Sequence, residues 1–160
     1  MRCKYGGCRS LSSITIPEGV TSIGYSAFFN CSSLSSITIP EGVTSIGDFA
    51  FDGCSSLASI TISESVTSIG NYVFQGCSSL ASIAIPENVT TIGDAVFNIC
   101  DNLESVDIYS NTLTYSVSYS PSRNAFAGCS SATSIHISNS VNEIGDRVFS
   151  KDAANLKKLS

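Results

Sequence analysis

The sequence is poor in charge, in histidine and in tryptophan, and each shortage narrows what the chain can do. Its 160 residues include 13% charged residues, one histidine and no tryptophan, and the formal net charge is −5. An acidic chain is a poor candidate for nucleic-acid binding, which favours a basic stripe. No run of 18 apolar residues is present, so we predict no membrane span. The first ten residues also lack the apolar core of a signal peptide.

What the sequence does contain is a repeat of 23 residues. A fixed period of this length indicates a solenoid, in which each repeat is one structural unit stacked on its neighbours. We predict a single domain over residues 1–160, with about six repeats, partial repeats at both ends and a six-residue insertion within 109–125. The cysteine column that marks the repeats is Cys8, Cys31, Cys54, Cys77, Cys100 and Cys129.

Within one repeat, the spacing of apolar residues predicts two short extended segments and a turn. Ile14 and Ile16 lie two residues apart and face the interior, as in a strand. Ser13 and Thr15 then face outward, and Pro17 ends the strand because it cannot donate a backbone hydrogen bond. The V-T-S-I-G segment of each repeat predicts a second short extended segment. The segment that closes on phenylalanine is expected to form one helical or 3₁₀ turn.

Seven cysteines raise the question of disulfides or metal binding. The six in the column are predicted to be buried thiols, because side chains in register point parallel to one another and suit disulfide geometry poorly. Cys3 lies outside the column; it could pair with Cys8, although a free thiol is the expectation. Spacings of 23 residues with a single histidine do not match zinc-binding patterns, so neither a metal nor another cofactor is predicted.

No arrangement of residues predicts catalysis. His136 takes the position of Thr15 in its repeat, so its side chain is expected to project from the sheet. Asp107 lies one repeat earlier and Ser134 beside it, but a serine–histidine–aspartate site also needs a buried carboxylate and a strained nucleophile turn. No phosphate-binding, zinc-protease or calcium motif occurs. We therefore predict that the chain is not an enzyme.

The repeat as a whole resembles that of a known family. From Leu11 to Cys31 the sequence reads L-x-x-I-x-I-P-x-x-V-x-x-I-G-x-x-A-F-x-x-C, which is similar to the BspA-like class of leucine-rich repeats, and the resemblance extends from Tyr5 to Leu159. It implies a right-handed leucine-rich-repeat solenoid of the α/β horseshoe class, mostly β, with a parallel sheet on one face and short helical or 3₁₀ turns. It also implies a surface or secreted protein that adheres to host extracellular matrix proteins or to other cells.

Two surfaces are candidates for binding a protein partner. The first is the outward face of the sheet. The second is the insertion, whose tyrosines and arginine are residue types enriched at interface hot spots, and insertions in repeat arrays often form functional loops. The candidate ligand-binding residues are Thr15, Thr38, Thr61, Asp107 and His136 on the face, and Tyr109, Tyr115, Tyr119 and Arg123 in the insertion.

Other interpretations stay open at the level of sequence. The array could be a structural spacer with no ligand of its own. The row of Thr15, Thr38 and Thr61 suggests ice binding as a further alternative. Neither end shows a polar capping repeat, so end-to-end self-association is also an expectation.

Overall fold

Short parallel strands connected by turns form a solenoid in the computed structural model, which describes residues 7–110, 112–115, 125, 134–139, 141, 143–144 and 158–159. One turn of the solenoid is called a rung below. The strands of the described residues are β1 (Ser22–Ile23), β2 (Ser36–Thr38), β3 (Ser45–Ile46), β4 (Ser59–Thr61), β5 (Ser68–Ile69), β6 (Ser82–Ile85), β7 (Thr91–Ile92), β8 (Ser105–Ile108), β9 (Thr112–Tyr115), β10 (Ser134–Ile137), β11 (Glu143–Ile144) and β12 (Lys158–Leu159).

The strands stack on two sides of the solenoid. The sequence's V-T-S-I-G segments supply one sheet, in the order β1-β3-β5-β7-β9-β11. The strands of the S-I-T-I segments lie on the other side, where β2 pairs with β4, and β6, β8, β10 and β12 form a second sheet. The two extended segments predicted for each repeat are therefore confirmed in most rungs.

Strand register follows the repeat in the first rungs and changes later in the chain. Paired residues are 23 apart from Ile23 and Ile46 through Thr91 and Thr114. The offset is 29 residues between β8 and β10, 31 between β9 and β11, and 24 between β10 and β12. Among the described pairings, it therefore departs from 23 only in those that involve β10 or β11. The division of the whole chain into one domain stays a prediction.

The core is built from the repeated apolar columns. From Leu34 to Ile108 the leucines, most of the inward isoleucines and valines, and the phenylalanines at 51, 74 and 97 are buried, whereas Phe28 in the first rung is only partly buried. Phe51 stacks on Phe74, and Phe74 on Phe97, with ring centroids 5.7 and 5.8 Å apart. Each fully buried side chain of this size contributes about 1.5–3 kcal/mol. One rung alone leaves these faces open to water, so the rungs fold by stacking.

The third side of each rung is a turn segment with alternating hydrogen bonds. Every second N–H donates to a carbonyl three residues earlier in its own rung, as Phe29 does to Ser26 at 3.1 Å. The N–H groups between them donate to the following rung. In the first complete rung these bonds are Ser26 N–H to Asp48 O, Phe28 N–H to Ala50 O and Asn30 N–H to Asp52 O, at 3.0, 2.8 and 2.7 Å.

This alternation corrects the expectation of a helical or 3₁₀ turn. A helix would keep all N–H donors within one rung, whereas here half of them join neighbouring rungs. The described residues contain turns at this position and no helix. Accordingly, the described part of the chain has no helix of the length and apolarity needed to cross a membrane.

The alternation also forces two columns into the left-handed backbone region. One column holds Ser26, Phe49, Tyr72 and Ala95, with φ between 48° and 58°. The other holds Asn30, Gly53, Gly76 and Ile99, with φ between 55° and 74°. This region costs an L-residue roughly 1–2 kcal/mol, and glycine escapes most of the penalty.

The glycine that follows each inward isoleucine lies against the preceding rung. A Cβ at Gly93 would lie 2.5 Å from the carbonyl carbon of Gly70 and 2.6 Å from the amide nitrogen of Asn71. A Cβ on Gly24, which holds the same position in the first described rung, would have nothing within 4 Å. Close stacking of rungs, and not the turn itself, therefore requires glycine at Gly93.

The first repeat departs from the predicted strand. Residues 12–16 form no strand, and Ile14 is 39% exposed although its equivalent in the next rung, Ile37, is buried. The N–H of Ser35 donates to Ser12 O at 3.3 Å, but β2 pairs on its other side, with β4. The prediction of a strand with Ile14 buried is therefore wrong for this repeat, because no described rung covers it from the other side.

Candidate functional site

The outward face of β2 and β4 carries hydroxyl side chains in register. The inward positions of these strands go to isoleucine, so the alternate positions point to solvent. Ser36 pairs with Ser59 and Thr38 with Thr61, and all four side chains are exposed. No core contact requires a hydroxyl at these positions, so this face is available for binding.

A groove of about 490 Å³ crosses this face over the first three rungs. Its lining includes Thr15, Thr38 and Thr61 together with the partly exposed Ile14. The structure thus brings three of the predicted residues to one concave site. Glu18 and Glu41 also line the groove, which gives it acidic as well as hydroxyl and apolar groups.

Asp107 and His136 form a second patch, further along the same side of the solenoid. The two residues pair directly across β8 and β10. The His136 side chain is exposed and Asp107 is half-buried, so the expectation that His136 projects from the sheet is confirmed. Tyr109 follows β8; its N–H donates to Ile85 O at 3.0 Å and its side chain is 43% exposed.

The remaining predicted residues belong to the insertion. Tyr115 ends β9, where it pairs with Ile92 of β7. Tyr119 and Arg123 lie outside the described residues. The structure thus gathers the predicted positions into a threonine groove and a patch around β8 and β10, and not into one continuous site.

The buried cysteines are structural. Cys31, Cys54, Cys77 and Cys100 are buried thiols that form no disulfide, which confirms the prediction for these four. Cys54 donates to Phe28 O at 3.2 Å, and its successors at 77 and 100 repeat this bond one rung further on each time. Burial raises the pKa of Cys54 to about 12 and that of Cys77 well above its usual value. A thiol held in its neutral form is a poor nucleophile.

Cys8 differs from the other members of its column. It is disulfide-bonded, so the prediction of a free buried thiol is wrong at this position. Cys8 is half-buried at the first described rung, which permits a cross-link that the enclosed cysteines of later rungs cannot make. Cys3 and Cys129 lie outside the described residues.

Metal ligands do not assemble in the described rungs. In the part of the chain that the structure describes, no group of three or more histidine, cysteine, aspartate or glutamate side chains is placed to hold a metal ion. The glutamates Glu18, Glu41, Glu64 and Glu87 are exposed along one edge. The N–H of Glu87 donates to the Glu64 carboxylate at 3.1 Å, so this edge also helps to fix the stacking of rungs.

Sequence reasoning missed a surface on the turn segments, named the turn-side surface below. It consists of three columns of side chains that run along the solenoid. The columns are Tyr25, Asp48, Asn71 and Asp94; Ser26, Phe49, Tyr72 and Ala95; and Phe29, Asp52, Gln75 and Asn98. Overlaying the repeats would have revealed it, since aspartate, asparagine and glutamine recur at two of these positions.

Hydrogen bonds tie the polar columns of this surface together. Asp48 Oδ1 accepts from the Asn71 N–H at 2.8 Å, and Asp48 Oδ2 accepts from Asn71 Nδ2 at 3.2 Å. Gln75 Nε2 donates to Asp52 Oδ2 at 3.3 Å, while Gln75 Oε1 accepts from Asn98 Nδ2 at 2.9 Å. Partial burial raises the pKa of Asp52 above its usual value, and the bond from Gln75 opposes that shift.

The family of the chain follows from its repeats. A family model described as the BspA type leucine rich repeat region matches residues 2–120 and 113–160, in six copies. The chain belongs to the BspA-type leucine-rich-repeat family. This confirms the resemblance to the family and the predicted leucine-rich-repeat solenoid fold, with turns in place of the expected helical segments.

Solved structures of bacterial leucine-rich-repeat proteins are similar to this chain. A leucine-rich-repeat protein of T. pallidum is 29% identical, with a TM-score of 0.77 over 93% of this chain and 69% of its own. A leucine rich cell surface protein of Faecalibacterium prausnitzii is 34% identical, with a TM-score of 0.67 over 92% of this chain and 38% of its own. A search of curated proteins finds no match.

The pneumococcal vaccine antigen PcpA shares the fold. It is 24% identical to this chain, with a TM-score of 0.68 over 88% of this chain and 34% of the antigen. The chain thus spans about a third of the length of PcpA and of the F. prausnitzii protein, and about two thirds of the T. pallidum protein.

Proposed function

We propose that this chain is a non-enzymatic protein-binding module that acts in adhesion as part of a surface or secreted protein. Its partner is a host extracellular matrix or cell-surface protein. The observation that carries this proposal is the groove over the first three rungs, where Thr15, Thr38 and Thr61 meet on an exposed face. Concave faces of this size, with apolar and polar groups together, are the usual form of binding sites.

The lining of the groove indicates the kind of segment that fits. Ile14 offers exposed apolar surface beside the threonine hydroxyls, which can donate and accept hydrogen bonds. Glu18 and Glu41 add negative charge in a chain of net charge −5. A partner segment with basic side chains matches this site by charge complementarity.

The patch around Asp107, His136 and Tyr109 extends the proposed contact surface. Tyrosine is a residue type enriched at binding hot spots, and the exposed Tyr109 directly follows β8, which carries Asp107 opposite His136. Tyr115, Tyr119 and Arg123 belong to the same proposal through their place in the insertion. Surface location is supported by the name of the F. prausnitzii relative, a leucine rich cell surface protein.

The absence of enzymatic activity is part of the proposal. The described thiols are enclosed, and Cys54 and Cys77 are held neutral by burial. His136 is exposed and its neighbour Asp107 is only half-buried, so Asp107 is not the buried carboxylate that such a site needs to orient its imidazole. These features lack the ordered nucleophile, base and orienting acid of a hydrolytic site.

The test is to fill the groove with a bulky side chain of the same charge as the proposed partner. Thr38→Arg should weaken binding to immobilised collagen, fibronectin or laminin by about tenfold or more, measured by surface plasmon resonance. Ser55→Arg is the matched control, because Ser55 is equally exposed but does not line the groove. Both variants should keep the melting temperature within about 2 °C, since surface substitutions cost little.

Other outcomes separate the alternatives. Binding that survives Thr38→Arg, with both variants folded, would overturn the groove as the site. If no matrix or host-cell protein is retained by the wild-type chain, the array acts as a spacer. Thermal hysteresis in the wild-type protein, lost on Thr38→Arg, would instead support ice binding by the threonine row.

A further inference from the structure

Three aromatic rings of the turn-side surface pack in a row, and the ring of Tyr25 at its end is mostly exposed. Phe49 and Tyr72 stack with centroids 5.0 Å apart and planes 6° apart, so each ring covers one face of the other. Tyr25 meets Phe49 at 5.7 Å with a 65° tilt, and its side chain is 73% exposed. The ring of Tyr25 is therefore a flat apolar surface open to solvent, supported from behind by the Phe49–Tyr72 pair.

The backbone beneath the stacked pair is strained. Phe49 has a φ of 58° and Tyr72 a φ of 56°, in the left-handed region that glycine would occupy without penalty. The parallel column uses glycine at two such positions, Gly53 and Gly76. The turn imposes this conformation on the whole column, including Ser26 and Ala95, so backbone conformation gives no reason for an aromatic side chain at Phe49.

The polar columns on either side are held in place and still have free hydrogen-bonding capacity. Asp48 accepts two hydrogen bonds from Asn71, but a carboxylate has about four acceptor sites. Gln75 likewise uses one amide hydrogen and one carbonyl acceptor in its column. Rigid carboxamide and carboxylate groups therefore flank the aromatic rings with both donors and acceptors available.

We propose that the turn-side surface binds a neutral carbohydrate, with one sugar ring stacked on Tyr25 and its hydroxyl groups bonded to Asp48 and Asn71. A pyranose has an apolar face of C–H groups, which suits the negative face of an aromatic ring. Its rim carries paired hydroxyls that both donate and accept, as planar amide and carboxylate groups require. A pyranose therefore presents both an apolar face and a neutral hydroxyl rim, which match the ring and the polar columns of this surface.

The negative charge of the turn-side surface favours neutral sugars over acidic ones. The three columns contain Asp48, Asp52 and Asp94 and no lysine or arginine. Acidic sugars such as sialic acid would meet like charge here, so the ligand is a neutral or N-acetylated hexose. The turn segments occupy a different side of the solenoid from the strand-face groove, so this binding is independent of the proposed protein contact.

The experiment is an array of defined oligosaccharides ending in galactose, glucose, N-acetylglucosamine or sialic acid, followed by titration of the retained free sugars. The chain has no tryptophan and six tyrosines, so the part of the tyrosine fluorescence change that is lost in Tyr25→Ala reports stacking on Tyr25. We expect retention of neutral sugars and not of sialylated ones. Tyr25→Ala should weaken binding at least about tenfold while leaving the melting temperature unchanged, because its ring is mostly exposed.

Phe49→Gly provides a second test that separates binding from folding. Glycine relieves the backbone strain at this position, so the variant should remain folded while sugar binding falls by a similar factor. Tyr109→Ala is the matched control, an exposed tyrosine on the strand face, and should not change sugar binding. Thr38→Arg should also leave it intact.

Three results would overturn the proposal. They are failure of every neutral sugar to bind, preferential binding of sialylated sugars, and unchanged affinity in both Tyr25→Ala and folded Phe49→Gly. Loss of matrix-protein binding with sugar binding retained would instead count against the groove alone, so the two proposals fail separately.

Discussion

Among the described residues, Ile99 is the side chain least suited to the backbone conformation that it occupies. It is β-branched, has a φ of 57° and is 53% exposed, so little packing offsets the strain. The equivalent positions two and one rungs earlier are Gly53 and Gly76, and Asn30 begins the column. Glycine and asparagine are the residues that tolerate this conformation at low cost.

Replacing Ile99 with glycine should therefore stabilise the protein. We expect Ile99→Gly to raise the free energy of unfolding by about 1 kcal/mol, which corresponds to about 2–4 °C in the melting temperature of a chain of this size. Ile14→Gly is the control, because Ile14 is also an exposed isoleucine but does not have a positive φ. It should be neutral or destabilising. A lower melting temperature for Ile99→Gly would contradict this account.

At the scale of the element, the glycine after each inward isoleucine sets how closely two rungs approach. Gly93 lies against the backbone of Gly70 and Asn71, which cannot move without shifting a whole rung. Its N–H also donates to Ile69 O at 2.9 Å, so the close approach carries a hydrogen bond of the stack.

Gly93→Ala should destabilise the protein by about 1–3 kcal/mol, as expected for overpacking against rigid neighbours. Gly24→Ala is the matched control, since its added methyl group would meet nothing within 4 Å. That variant should stay within about 0.5 kcal/mol of wild type. Chemical denaturation of the two variants measures both values. Equal losses at the two positions would show that turn conformation, and not rung contact, selects glycine.

The elements that could be predicted from the sequence are those with strict periodicity. The inward columns, the two strands of each repeat and the buried thiols of Cys54 and Cys77 all follow from residue type and spacing. The turn segment was not predictable in this way, because its alternating hydrogen bonds place half of the donors on another rung. Apolar spacing does not distinguish such a segment from a short helix.

The candidate sites were predictable only in part, for a related reason. Thr15, Thr38 and Thr61 share a column, so register alone brings them together. The opening of the first repeat, which exposes Ile14 and shapes the groove, depends on the lack of strand pairing at one edge. The columns of the turn-side surface follow from the repeat, but the left-handed backbone at Phe49 and Tyr72 and the stacking of their rings do not.

For the whole molecule, the described rungs act as exchangeable units. Each rung bonds only to its neighbours, and the offset of paired residues is constant at 23 through the first rungs. Stability in such an array is close to a sum of repeat terms and interface terms. Removing one full period should therefore preserve every type of contact and reduce only their number.

Deletion of residues 54–76, one period of 23, should give a folded protein with a lower melting temperature. Deletion of residues 54–65 removes about half a period and is the control, because it shifts every later inward column onto the surface. Circular dichroism during heating should show a cooperative transition for the first variant and none for the second. Equal behaviour of the two deletions would mean that register does not govern folding.

The turn segments also give the solenoid a net dipole along its axis. In the sheets, bonds run both ways between rungs, as Thr44 N–H to Thr21 O and Ile39 N–H to Thr61 O illustrate, so peptide dipoles largely cancel. Along the described turn segments, each backbone-to-backbone hydrogen bond between rungs has its donor in the earlier rung and its acceptor in the later one.

Those dipoles, each about 3.5 D, add along the axis as they do in a helix. Carbonyl oxygens face the N-terminal end of the stack and amide hydrogens face the C-terminal end. Another rung, whether from this chain or from a second molecule, can complete these bonds in only one orientation at each end. The stack is thus polar, with two chemically different ends.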